Sequence, residues 1–232
     1  IVCFWVLAFS YEVQTIEQVV QNILKLDLEI YEIIIVNDHS SDGSREIIEK
    51  LTNNNKVIKA IHHEINQGKG AALRTGIKEV TGEVVIIQDA DLEYNPLDYK
   101  KLLKPFFDKT DADIVYGSRF LGGEYTRLSF FWHFLANKIL TFFCNIFTNL
   151  NMTDMETGFK VFKSKAIKAI EINENSFGVE PEITIKLANK NFVFYEVPIS
   201  YSGRTYDQGK KITLADAFKA MYCIFRYGFF KS

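Results

Sequence analysis

The sequence predicts an α/β domain, a mostly parallel sheet flanked by helices. Two observations carry that expectation. Short apolar runs alternate along the chain with stretches of helical period, the pattern of βαβ units joined by right-handed crossovers. Three junctions between a run and the following helix are acidic or glycine-rich turns, placed where ligands bind at the carboxyl edge of open α/β sheets. With 232 residues and 47% apolar composition, the chain is sized for one domain with a full core.

The elements follow in order. Residues 1–9 are apolar and read as a first strand; they carry no basic leader or cleavage site, so a signal peptide is not expected. Ile16, Val19, Val20, Ile23 and Leu24 fall at helical spacing within 12–25. Residues 31–36 form a second strand, closed by the turn-rich segment 37–43. A helix near 43–52, a strand near 56–61 and a helix over 67–80 come next, then a strand at 83–88. A helix near 96–108 and a strand near 112–117 complete the set, with no internal repeat or low-complexity linker.

Composition narrows the function. A net charge of −2 argues against nucleic-acid binding through a bulk basic field. Cys3, Cys144 and Cys223 are odd in number and lack metal-site spacing, which suggests a reducing compartment.

The richest stretch is 84–93. Val84, Val85, Ile86 and Ile87 run into Asp89, Asp91 and Glu93, and alternation sets the three carboxylates on one side. Such oxygen clusters suit Mg²⁺ or Mn²⁺ together with substrate phosphates; the plainer alternative is a solvated acidic turn. Asp38 follows its own strand and should face the same edge. Gly68, Gly70, Ala71 and Ala72 open a helix and allow backbone or ligand to come close, while Lys69 offers a cation. This is neither a dinucleotide fingerprint nor a Walker loop.

Seven segments, 36–43, 66–70, 88–96, 117–120, 153–160, 177–182 and 197–205, stand in an order that resembles the inverting glycosyltransferases of family two, and within them the polyprenyl- and dolichyl-phosphate sugar synthases. The resemblance spans nearly the whole chain. It implies a GT-A Rossmann-like fold with residues 1–120 as the nucleotide-sugar half and 121–232 as the acceptor half. It implies transfer of mannose or glucose from GDP-mannose or UDP-glucose. Asp91 and Glu93, with Asp89, correspond to the metal ligands. Glu12, Val36, Asp38, Lys69, Asp89, Ala90, Asp91 and Glu93 correspond to donor contacts, with Asp38 on the nucleobase.

On the acceptor side, a polyprenyl phosphate has a second pKa of about 6 and is mostly dianionic at neutral pH. It needs a cationic cradle more than a base, and Arg119 and Arg204 fit that need. His133 and Asn137 lie where close relatives carry further phosphate-binding groups. Asp89, Asp91, Arg119 and Arg204 are thus the expected catalytic set. Asp154, like Asp89, stands where it would orient the donor sugar or the nucleophile, and the sequence does not separate them.

The chain also departs from the family. Ala8, Phe9, Ser10, Tyr11 and Glu12 stand where Pro-x-Tyr-Asn-Glu is usual, and Asn37 replaces the first of two common aspartates. These changes keep two alternatives open: transfer to a glycan acceptor, and a nucleotide-sugar-binding module without turnover. No Gln-x-x-Arg-Trp segment of the processive synthases is present. A glycosidase built on Glu180 and Glu182 is the least supported reading.

Residues 128–150 are apolar and aromatic but interrupted by His133, Asn137, Lys138 and Asn145, a poor spanning segment. With 214–230, they read as amphipathic interfacial helices placing the protein peripherally on the cytoplasmic face of a membrane. The plain alternative is two helices packed on the sheet.

Overall fold

The computed structural model describes residues 2–8, 13–108, 110–122, 127–128, 130–204 and 214–230, with the backbone path alone for 2–8 and 214. Among the described residues seven strands form one sheet: β1 (Val2–Ala8), β2 (Ile30–Asn37), β3 (Ile58–His62), β4 (Val84–Asp89), β5 (Ile114–Ser118), β6 (Lys160–Lys163) and β7 (Phe194–Pro198). The helices are α1 (Ile16–Leu24), α2 (Ser44–Asn54), α3 (Lys69–Glu79), α4 (Tyr99–Phe107), α5 (Phe131–Thr148), the short α6 (Ser164–Ile167), α7 (Val179–Asn189) and α8 (Leu214–Phe229). A 3₁₀ turn, Pro96–Asp98, leads into α4, with Asn95 Oδ1 capping the Leu97 amide.

Strand order is β3-β2-β1-β4-β6-β5-β7. All pairings are parallel except those of β6, which runs antiparallel to both β4 and β5. The expected mostly parallel sheet is therefore present, with one reversed strand between β4 and β5. Strands from both halves of the chain share this sheet.

Alternation along the central strands makes two cores. Ile34, Val36, Val85 and Ile87 face α3, α5, α7 and α8, while Ile33, Ile35 and Ile86 face α1, α2 and α4. Each fully buried Ile or Val contributes roughly 1.5–3 kcal/mol relative to exposure, so a one-residue register slip in β2 or β4 would turn both faces inside out.

The helices α5 and α8 pack on each other through Phe143 and Phe225, centroids 5.5 Å apart, and Phe147 and Phe229 at 4.9 Å. Gly228 lets Phe147 come close, since a Cβ there would lie 2.4 Å from its ring. That packing leaves other rings outside: Phe131, Trp132, Phe142, Phe218 and Tyr222 are exposed, Trp132 to 74%. Among the described residues no helix is long and apolar enough to cross a membrane.

Candidate active site

The site is built where β4 ends. Gln88 is buried and fixes that end: its Oε1 accepts from Tyr99 Oη at 2.6 Å and its Nε2 donates to the Asp89 carbonyl at 2.7 Å. The chain then bends so that Asp91 Oδ1 accepts from the Glu93 amide at 3.1 Å. This turn brings Asp89, Asp91 and Glu93 to the carboxyl edge, as their spacing predicts.

Two cations face the three carboxylates. Lys69 Nζ lies 3.1 Å from Asp89 Oδ1 and 2.8 Å from Glu180 Oε1. Arg204 places Nη2 2.8 Å from Asp91 Oδ2, and donates to Glu93 Oε1 from its amide at 2.7 Å and its Nε at 3.2 Å. Burial opposes the Lys69 charge, but Asp89 and Glu180 outweigh it and raise its pKa above the usual lysine value. Asp91 is pushed up to about 8, by burial first and then by Asp89 and Glu93, against the pull of Arg204. Asp89 Oδ1, despite its nearness to Lys69, makes no hydrogen bond, and buried Glu180 Oε2 and Glu156 Oε1 also lack a partner. Carboxylates thus outnumber cations, and the donor set is hard oxygen.

That imbalance fits a divalent cation of the Mg²⁺ or Mn²⁺ kind. Among the described residues no three acidic, His or Cys side chains form a preassembled metal cage.

Behind Asp89 lies a buried polar floor that was not predicted. The Thr157–Gly158 backbone presses on it so closely that a Cβ at Gly158 would lie 2.7 Å from Asp89 Oδ2. Glu156 is pushed up to about 8, chiefly by burial and then by Glu180. Buried Lys160 bonds the Thr157 carbonyl and lies 4.8 Å from the Tyr116 ring centroid. Nothing in β6 marks Lys160 as buried from sequence; only its place at the sheet centre does.

Asp38 is committed within the protein. It reaches the sheet edge as expected, but its carboxylate is closed to solvent and taken up by the protein. Oδ1 bonds His63 Nδ1 at 2.7 Å and the Gln67 amide at 2.9 Å, and Oδ2 accepts from the Gly68 amide at 2.6 Å. The side chain therefore holds the turn that carries Lys69. The glycines of that turn admit backbone: a Cβ at Gly68 would meet Asn175 O at 2.3 Å, and one at Gly70 would meet Glu174 O at 2.0 Å. Val36 is buried in β2, and the Ala90 carbonyl accepts from Thr15 Oγ1 at 2.8 Å. Glu12 lies outside the described residues.

Just past β5, Arg119 is clamped by Asp154, Nε to Oδ2 and Nη2 to Oδ1, both at 2.7 Å. Burial would raise the Asp154 pKa, but Arg119 outweighs it and holds the carboxyl below the usual range. Asn137, from α5, is buried and donates to Asp154 Oδ1 at 3.1 Å. It supports the clamp. His133 is half-buried one turn earlier on α5, with its ring 5.9 Å from Phe130. The structure also separates the two aspartates: Asp89 faces Lys69, while Asp154 lies sealed beneath Arg119.

Tyr201 is the residue the sequence reading missed. Its hydroxyl donates to Glu93 Oε2 at 3.0 Å, and the Arg119 guanidinium carbon stands 5.1 Å from its ring centroid. Beside it a cavity of about 290 Å³ opens among Asn22, Glu93, Asn95, Arg127 and Ser200. Glu182, by contrast, is buried and spends its oxygens on the Asn173 and Glu174 amides and on Lys186. It is a structural anchor, so no Glu180–Glu182 hydrolytic pair exists.

The chain is similar to known proteins. The family model for glycosyl transferase family 2 matches residues 5–171. Over 182 residues the chain is 28% identical to a dolichol-phosphate mannosyltransferase of Pyrococcus furiosus, covering 78% of this chain and 50% of that protein. It is also 28% identical over 178 residues to the dolichyl-phosphate beta-glucosyltransferase ALG5A of Trichomonas vaginalis, covering 74% and 54%. The chain thus spans about half the length of these relatives. Glucosyl-3-phosphoglycerate synthase of Mycobacterium tuberculosis, solved with Mn²⁺, UDP and phosphoglyceric acid, superposes with a TM-score of 0.74 at 16% identity, covering 98% of this chain and 78% of that one. That likeness shows the fold.

Proposed function

Because the chain belongs to glycosyl transferase family 2, we propose that it moves mannose or glucose, with inversion, from GDP-mannose or UDP-glucose to a dolichyl or polyprenyl phosphate at a membrane surface. The observation that carries this reading is the pairing, through Tyr201, of a carboxylate cluster with a fixed guanidinium. Glu93 on one side and Arg119 on the other both touch that tyrosine. The names of the relatives from Pyrococcus and Trichomonas agree with a lipid-phosphate acceptor.

Asp91 and Glu93 would hold Mg²⁺ or Mn²⁺, with Asp89 alongside. Such an ion supplies Lewis acidity that offsets the charge of a departing nucleoside diphosphate. The chain's own groups do the remainder. Asp89 and Glu180 hold Lys69 at the edge of the donor site, where its charge complements phosphate. Arg119, immobilised by Asp154, presents a preorganised cation to the acceptor, which lowers the entropy cost of fixing the phosphate. A phosphate dianion is already nucleophilic, so the residues have to orient it and exclude water.

The lipid reading has its own support. Asn137, which braces the Arg119 clamp, sits on the same helix as exposed Phe131 and Trp132. A headgroup bound at Arg119 would therefore lie close to a helix suited to the interface. Purified protein supplied with either donor, a short polyprenyl phosphate and Mg²⁺ or Mn²⁺ should yield lipid-linked sugar from one donor, and Asp91→Ala should abolish it. Donor binding without transfer under any of these conditions would contradict the proposal.

A further inference from the structure

We propose that Tyr201 is a positioning residue that serves both halves of the reaction: its hydroxyl sets the Glu93 carboxylate for cation binding, and its ring backs the Arg119 guanidinium toward the acceptor phosphate. The inference rests on the reading of Glu93 as a metal-site carboxylate and Arg119 as a phosphate anchor.

The contacts divide cleanly between the two ends of one side chain. At the polar end, Tyr201 Oη donates to Glu93 Oε2 at 3.0 Å, while Arg204 occupies the other oxygen, Oε1. A hydrogen bond to the outer oxygen of a ligating carboxylate fixes its orientation, and loss of such a partner typically weakens metal binding about 10- to 100-fold.

At the ring end, the guanidinium lies 5.1 Å from the centroid of Tyr201 and 5.6 Å from that of Phe120. Asp154 fixes Arg119 along its Nε–Nη2 edge, and both aromatic rings lie within cation–π range of the guanidinium.

The tyrosine is itself well anchored. It bridges to Tyr94 with ring centroids 5.2 Å apart, and its carbonyl accepts from the Arg127 amide at 3.1 Å. The next amide, of Ser202, donates to the Glu93 carbonyl at 2.9 Å. The Ser202–Glu93 backbone bond and the Tyr201–Glu93 side-chain bond thus join this segment to the turn that carries the carboxylates.

Two substitutions separate the two ends. Tyr201→Phe removes only the hydroxyl, and Tyr201→Leu removes the ring as well. Mn²⁺ binding, followed by electron paramagnetic resonance, should weaken about tenfold in both. The KM for a short polyprenyl phosphate should stay within about twofold of the parent in Tyr201→Phe and rise roughly three- to tenfold in Tyr201→Leu. Parental Mn²⁺ affinity in Tyr201→Phe, or equal acceptor KM in the two variants, would overturn the proposal. A lowered melting temperature with both affinities intact would do the same, by reducing Tyr201 to a packing role. Failure of the unsubstituted protein to bind Mn²⁺ would instead overturn the metal-site reading on which the inference stands.

Discussion

The Arg204 guanidinium lies 2.8 Å from Asp91 Oδ2 and reaches Glu93 Oε1 with its Nε. A side chain expected on the acceptor side is thus also the counter-charge of the proposed metal ligands. Guanidinium and divalent cation compete for the same oxygens. Arg204→Met should therefore tighten Mn²⁺ binding to the free protein several-fold, on the order of the removed charge–charge term at short range, while sugar transfer falls. Calorimetric titration with Mn²⁺ checks this; weaker Mn²⁺ binding in the variant would show that Arg204 supports the cation instead of competing with it.

Asp154 and Arg119 form a buried, doubly hydrogen-bonded pair. Removing one partner leaves a buried charge, typically at a cost of about 3–5 kcal/mol. Asp154→Asn should lower stability by up to that amount in urea unfolding. The pH sign follows from the depressed Asp154 pKa. Its contribution is present above the unfolded-state value and is lost as pH falls through the lower folded value. The stability difference between parent and Asp154→Asn should therefore hold near neutrality and shrink below about pH 4.

Gly68 combines a φ of +93° with a virtual Cβ 2.3 Å from a backbone oxygen. Gly68→Ala should destabilise the fold by at least about 1–3 kcal/mol through strain alone. Its displacement would also pull the Gly68 amide from Asp38 and move Lys69. The check is a melting curve together with donor affinity, and both should worsen.

The exposed rings of α5 give a membrane prediction. Trp132 fluorescence should shift to shorter wavelength on addition of anionic phospholipid vesicles, and Phe131→Ser with Trp132→Ser should reduce co-sedimentation with them. An unchanged spectrum with no co-sedimentation would leave α5 as a solvent-facing helix.

Much of this layout was legible because period and turn chemistry are local. Ile33 to Val36 and Val84 to Ile87 announce buried strands, and Asp89, Asp91 and Glu93 had to emerge at their end. Strand β6 was not legible: four residues bounded by Lys160 and Lys163 carry no apolar run, and Lys160 is buried by tertiary placement. Strand β7 was hidden by Glu196, whose carboxylate accepts from the Thr153 and Asp154 amides. Asp38 shows the limit for side chains. The sequence brings a carboxylate to the sheet edge, but its commitment to His63 and the Gln67–Gly68 amides depends on a neighbouring loop folding over it. Tyr201 was invisible for a similar reason, since its two partners lie 108 residues and more than 80 residues away in the chain.

The most direct test of the account compares two acceptors that differ only in the phosphate. With the preferred nucleotide sugar and Mn²⁺, a short polyprenyl phosphate and its unphosphorylated alcohol would be offered in parallel. The structure predicts a lipid-linked sugar on the phosphate alone, lost with EDTA and weakened by Arg119→Lys, which cannot reproduce the planar paired contact. Equal transfer to the alcohol, or transfer to neither, would contradict a site organised around a phosphate acceptor.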